Sequence, residues 1–263
     1  MTHYTVVSLA SQLSLFHSLM PDTRKHRGPH PQDADLFARE KWPELQRAVA
    51  HLSWLLTRGY AITSALKLVG DRFELTDRQR KAVVRSSCSD QAMEHRQSTL
   101  VKPESLTGFV LHLDGFNVLT TVEAALGGGV LLLGRDGCLR DMASMHGNYR
   151  KVEETRPALE LIGQTLAEWQ PLHCIWYLDR PVSNSVRLSQ ILSEVASENG
   201  WDWRPELVPD PDAILRTLPE VVVSADSGIL DDCQSWLNLA FQVVSRLVPN
   251  ADVVPLNELT FEQ

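Results

Sequence analysis

At 263 residues the chain exceeds one typical domain, and its 43% hydrophobic and 22% charged content is that of an ordinary globular protein, so two domains are expected. No stretch is long and apolar enough to span a membrane, and Met1 to Met20 lacks the basic leader of a secretory signal; a cytoplasmic protein with no membrane partner is expected. The net charge of −8 is divided unevenly, and Cys88, Cys138, Cys174 and Cys233 are too scattered for a zinc site or a disulfide framework.

Residues 1–20 read as a helical N-terminal extension, followed by a helical basic domain over 21–102. From Pro21 to Lys102 there are 15 Lys and Arg against 10 Asp and Glu, a net of +5. The segment His26-Arg-Gly-Pro-His30-Pro-Gln-Asp33 places two imidazoles and a carboxylate beside Arg24, Lys25 and Arg27, a cluster suited to phosphate or RNA contact. Apolar residues from Leu36 to Leu56 recur at three- and four-residue spacing, which predicts one amphipathic helix over Ala34–Arg58, ended by Gly59. A second apolar set runs from Ala61 to Val69. Thr76 is a candidate N-cap for a helix through Ser86 that carries Arg78, Arg80, Lys81 and Arg85, further candidates for RNA binding. Pro103 to Gly108 reads as a linker.

Residues 103–263 hold 10 Lys and Arg against 23 Asp and Glu, a net of −13. Short apolar runs at Phe109–Leu113, Val130–Leu133, Cys174–Leu178, Trp203–Val208, Val221–Ser224 and Val253–Val254 alternate with amphipathic stretches that include 154–169, 185–199 and 231–247. Such alternation predicts an α/β domain with a mainly parallel sheet covered by helices on both faces. Trp54, Trp176 and Trp236 are expected in the core.

The chemistry concentrates where apolar runs stop at an acid. Asp114, Asp179 and Asp226 each follow a predicted strand, and ligands of α/β sheets bind outside the carboxyl ends of strands. Asp231, five residues after Asp226, faces the same site if a single turn separates them. Hard cations take oxygen ligands and need only one or two carboxylates beside substrate phosphates, so these acids suit Mg2+ or Mn2+. Asn117 would orient Asp114 or a water, or else cap a helix. Asp136 and Asp141 each follow an Arg, which leaves metal contact and a structural ion pair both open. Ser183, Asn184 and Ser185 read first as helix caps, and His146 to Arg150 as a nucleic-acid contact or a plain loop. Gly127–Gly129 precedes a strand and is misplaced for a dinucleotide-binding turn.

Leu113-Asp-Gly-Phe-Asn-Val118 together with Val222-Val-Ser-Ala-Asp226 and Asp231 resembles the PIN-like nucleases, especially their NYN branch. That resemblance implies a three-layer α/β/α domain over 103–263 and metal-site roles for Asp114, Asn117, Asp226 and Asp231, with Asp179 matching the remaining acidic position. The segments His26-Arg-Gly-Pro, Leu52 to Tyr60, Lys67 to Arg72 and Leu75 to Arg80 resemble an uncharacterised prokaryotic domain-of-unknown-function family (family 434) that joins a helical N-terminal domain to such a PIN-like domain. The expectation is a metal-dependent ribonuclease with Asp114, Asp179, Asp226 and Asp231 around the cation. Its competitors are a non-catalytic RNA-binding or complex-forming protein and an Asp-dependent phosphatase; Phe116 stands where the haloacid-dehalogenase pattern of the latter has a second acid.

Overall fold

A computed structural model describes residues 28–142, 149 and 151–257. The expected helical extension at 1–20 lies outside them. Four helices open the described chain: α1 (Trp42–Thr57), α2 (Ile62–Arg72), α3 (Asp77–Ser86) and α4 (Asp90–Thr99). The helix expected to run unbroken from Ala34 is instead a single turn at Asp33–Leu36, then a 3-10 turn, then α1. Pro43 sits in the first turn of α1, where its missing N–H costs nothing, while a helix continuing back through it would lose a hydrogen bond. The Trp42 indole closes the break by donating to the Phe37 carbonyl, 2.9 Å. At α3 the capping box is complete, with Thr76 and Gln79 satisfying each other's backbone N–H groups.

The α/β part contains β1 (Val110–Asp114), α5 (Gly115–Leu126), β2 (Leu131–Leu133), β3 (Leu139–Asp141), α6 (Thr155–Trp169), β4 (His173–Asp179), α7 (Ser185–Asn199), β5 (Trp203–Val208), α8 (Pro211–Leu215), β6 (Val221–Val223), α9 (Ser227–Leu230), β7 (Trp236–Leu237), α10 (Leu239–Leu247) and β8 (Val253–Pro255). Five strands form one parallel sheet in the order β5-β4-β1-β6-β7. Alternation along β1 sends Leu111 and Leu113 into the core beneath α5, α6, α7 and α10, and turns His112 to the opposite face, where it meets Tyr177 at 3.1 Å. The helical front and flanked parallel sheet are thus as expected. None of the described helices is long and apolar enough to cross a membrane, and all four cysteines are free and buried.

Three expectations are corrected. The run Val130–Leu133 does not join the main sheet: β2 pairs antiparallel with β3 and parallel with β8 in a separate three-stranded sheet. The helix expected over 231–247 begins only at Leu239, because 231–235 form a turn, Trp236 and Leu237 pair with β6, and the Trp236 indole is anchored on the Arg96 carbonyl, 2.7 Å. Trp54 is 47% exposed with the Arg58 guanidinium over its ring, whereas Trp176 and Trp236 are buried.

The small sheet joins the two parts. Leu131 and Leu139 face the main core, while Leu132 and Val254, pointing the other way, pack with Leu45, Val49, Leu52 and Val83 of α1 and α3. Helical region and sheet therefore bury one continuous apolar surface, and Gln46 of α1 reinforces it by donating to the Pro255 carbonyl, 2.7 Å.

Candidate functional site

From β1 the chain winds outward through β4 and β5, then returns to lay β6 and β7 on the other side of β1. That reversal places a switch point between β1 and β6, where helices leave to opposite sides and a crevice opens at the carboxyl ends. Asp114 is the last residue of β1 and the N-cap of α5, accepting from Asn117 N at 3.4 Å. Its other oxygen accepts from the Ser224 hydroxyl, 2.8 Å, just beyond β6. Asn117 Oδ1 accepts from Ala225 N, 2.9 Å, so two side chains from the β1 end hold the β6 end in register. Gly115 permits this for a reason different from backbone freedom: a Cβ there would lie 2.8 Å from the Tyr177 carbonyl and 2.7 Å from Leu178, so only glycine lets α5 leave so close to β4.

A cavity of about 750 Å³ opens above these strand ends. Asp114, Asp179 from β4, Asp226 and Asp231 from either end of α9, and Asn117 all line it. Asp212 of α8 lies with them and was not anticipated, although the rule that singled out the other acids also applies to β5, which is followed by Pro-Asp210-Pro-Asp212. Burial, with Asp212 and Asp226 adding repulsion, pushes the Asp114 carboxyl up to about 7. Asp212 is raised by its own desolvation and by Asp226 and Asp179, and Asp179 by burial and Asp210. Among the described residues, Asp114, Asp179, Asp212 and Asp226 make no ion pair. Asp226 spends one oxygen on the N–H groups of Gly228 and Ile229, as a helix cap.

Asp231 differs. Arg96 of α4 grips it with Nε and Nη2 at 2.9 and 2.6 Å, and binds Asp136 with its remaining nitrogen. Asp136 also receives both terminal nitrogens of Arg140, at 2.9 and 2.6 Å, which hold its carboxyl well below the usual range despite burial. Asp136 is thus a structural ion-pair residue, whereas Asp141 lines the cavity and accepts from Thr120, 3.3 Å. Among the described residues, no three His, Cys, Asp or Glu side chains converge closely enough, as they stand, to form a metal cluster.

Of the basic residues, Arg85 lines the cavity, where burial lowers its pKa against the opposing field of Asp141 and Asp226, and it donates to the Asp141 carbonyl. Arg78 is paired with buried Asp33 at 2.5 and 2.9 Å, and Arg80 with Asp71 at 2.9 Å, both away from the acids. Lys81 lines a shallow depression beside Arg78 and His30. Arg24, Lys25, His26 and Arg27 lie outside the described residues. Tyr149 is buried with its hydroxyl on Glu123, 2.7 Å, and so presents no stacking face; the rest of the His146–Arg150 segment is not described. Asn184 does not cap α7 through its side chain but ties down the Tyr149 carbonyl, 2.7 Å, while Ser185 Oγ donates to Asp179 O, 2.5 Å.

These features define an α/β protein with a helical N-terminal region and an acidic crevice at its topological switch point. The chain belongs to the family described as domain of unknown function DUF5616, whose model matches residues 103–242, more than half of its length. The model for protein of unknown function DUF434 matches residues 44–98. The chain is similar to the uncharacterized protein MJ0935 of Methanocaldococcus jannaschii, 28% identical over 186 residues that cover 71% of this chain and 88% of that one. No solved structure matches it.

Proposed function

We propose that the chain is a metal-dependent ribonuclease of PIN-like type, acting at the crevice between β1 and β6. The observation that carries this reading is Asp114: a buried carboxylate without a cationic partner, whose pKa is pushed up to about 7 by burial and, to a smaller extent, by Asp212 and Asp226. The arginines that line the same cavity, Arg85, Arg96 and Arg140, are bonded to Asp141, Asp136 and Asp231 and not to Asp114, and a divalent cation is a compact means of supplying positive charge there. The donor set is all oxygen, which suits Mg2+ or Mn2+ better than a softer metal. Asp114 and Asp226 are the ligands best placed, with Asp179 and Asp212 at the rim. Asp231 gives one oxygen to Arg96, which leaves Oδ2 as the atom it would offer a cation. When bound, the cation would activate water and neutralise charge on the phosphodiester.

The chain's own residues do the positioning. Ser224 fixes one Asp114 oxygen, and Asn117, committed to Ala225 through Oδ1, has only its amide N–H groups to offer a substrate or water. The Arg96–Asp231 pair favours a second reading, an RNA-binding or complex-forming protein without turnover, since it neutralises one of the expected ligands. An Asp-nucleophile phosphatase fits less well, because Phe116 stands where that pattern has a second acid.

The test is cleavage of end-labelled single-stranded and structured RNA with Mn2+ or Mg2+, beside a folded Asp114→Asn/Asp226→Asn double variant. The proposal expects metal-dependent cleavage by the parent and none by the variant. Equal cleavage by both, or none by the parent with either cation, rejects it.

A further inference from the structure

Arg216 ends α8, four residues after Asp212, so the two side chains share one side of that short helix. Three carboxylates stand around its guanidinium. Its field lowers the Asp212 pKa against the burial that raises it. Arg216 Nη2 and Asp226 Oδ1 lie 2.5 and 3.2 Å from the point where a Cβ on Gly228 would stand, and Asp232 Oδ2 is 3.9 Å from Nε. Yet among the described residues the guanidinium is hydrogen-bonded to none of them, and Nε is buried without a partner. Asp226 Oδ1 is taken by the N–H groups of Gly228 and Ile229, and the Asp232 pair is long and exposed, so it holds the arginine weakly. The glycine matters here: any side chain at position 228 would take the space the guanidinium fills.

Arg216 is not among the residues that line the cavity, although its neighbours Asp212 and Asp226 are. Its side chain is 41% exposed, and the terminal nitrogens are the donors it can offer. Such a fork matches two oxygens of one phosphate. We infer that Arg216 holds the phosphate next along the strand from the one at the acids, so that the site engages two consecutive phosphates. This rests on the reading of the crevice as a phosphodiester site and adds a residue outside the acidic cluster. A ligand with a single phosphate leaves Arg216 unused. The site therefore favours a chain with at least two linkages over a dinucleotide or a small phosphoester.

Competition in Ca2+ tests this. A fluorescein-labelled oligoribonucleotide bound to the full chain is displaced by the dinucleoside monophosphate ApA or the trinucleoside diphosphate ApApA, and anisotropy follows the displacement. Against the parent, ApApA is expected to compete about tenfold better than ApA, and with Arg216→Gln no more than about twofold better. Gly228→Ala keeps the charge but places a methyl group where the guanidinium lies, and it is expected to lose the same gain. A ratio of two ligands cancels any disturbance of the acids common to both. Absence of the gain in the parent, or its persistence in either variant, overturns the inference; RNA cleavage by that parent would leave the nuclease reading standing. A gain that depends on Arg216 and Gly228 in a chain that cleaves nothing supports the inference and rejects the nuclease.

Discussion

Asp114 ties stability to pH in a direction opposite to that of a salt-bridged acid. In the folded chain its carboxyl holds a proton up to about 7, while the unfolded one releases it near its ordinary 3.8. The folded state therefore binds the extra proton between these values, and this group's contribution falls as pH rises from about 4 to 7, by on the order of 4 kcal/mol in full. Asp114→Asn keeps the shape and removes the charge. Urea denaturation at pH 8 in EDTA is expected to show the variant more stable than the parent, with the difference shrinking toward pH 4; a parent whose stability relative to the variant grows as pH rises from 4 to 8 contradicts the burial. Mn2+ should raise the parent's melting temperature more at pH 8 than at pH 5, where the proton already occupies the site. Asp114, Asp179 and Asp226 were legible from sequence because apolar runs end near them, and Asp231 because a single turn separates it from Asp226. Asp212 escaped notice because two prolines conceal a one-turn helix, α8. The partners of Asp231 were invisible, since Arg96 lies 135 positions away.

Among the elements, α4 is the least conspicuous in sequence and the most consequential. It has almost no apolar stripe, so nothing in its periodicity announces a helix; Ser89 starts it by accepting from Ala92 N at 3.1 Å. Its value lies in Arg96, whose side chain is 3% exposed between Asp136 and Asp231. Arg96→Met would leave buried Asp136 dependent on Arg140 alone, and a cost of about 3–5 kcal/mol is expected in urea denaturation at pH 7. A loss below 1 kcal/mol would show that Arg140 suffices. If Asp231 takes part in metal binding, the same variant frees it, and Mn2+ affinity rises even as stability falls. Strands β1, β4 and β6 were readable because each is largely an apolar run, as buried parallel strands are, while β5, at the sheet edge, alternates Trp203 and Leu207 with Arg204 and Glu206. Helix α5 was hidden by its own composition: it is apolar nearly all round, and a buried helix that begins directly at a strand end carries no amphipathic signal.

At the scale of the molecule, charge asymmetry and the Pro103–Gly108 linker suggested two separable halves, and the apolar contacts join them. Val130, Leu132, Val254 and Leu256 fill one core with the residues of α1 to α3. A fragment of residues 103–263 alone would expose that face of the small sheet to water, a contiguous apolar surface that soluble monomers rarely tolerate. It is expected to aggregate or to bind a hydrophobic dye, and adding a separate 21–102 fragment should restore solubility. A monomeric, cooperatively melting 103–263 fragment would show the small sheet to be self-sufficient. The shared core could not be read from sequence because the pattern of a strand does not say which helices cover each face.

The bond from Gln46 to Pro255 spans 209 positions. On a ribosome α1 through α3 emerge early and can pack on one another, but the face that meets Leu132, Val254 and Leu256 stays uncovered. Val254 and Leu256 follow about 200 positions after α1 begins. The helical region must wait, partly ordered and exposed, until β8 has cleared the exit tunnel, and loop-closure entropy makes that final docking slow. The window between the two events is where a chaperone would act on this protein, and where a premature stop near β8 would do the most harm.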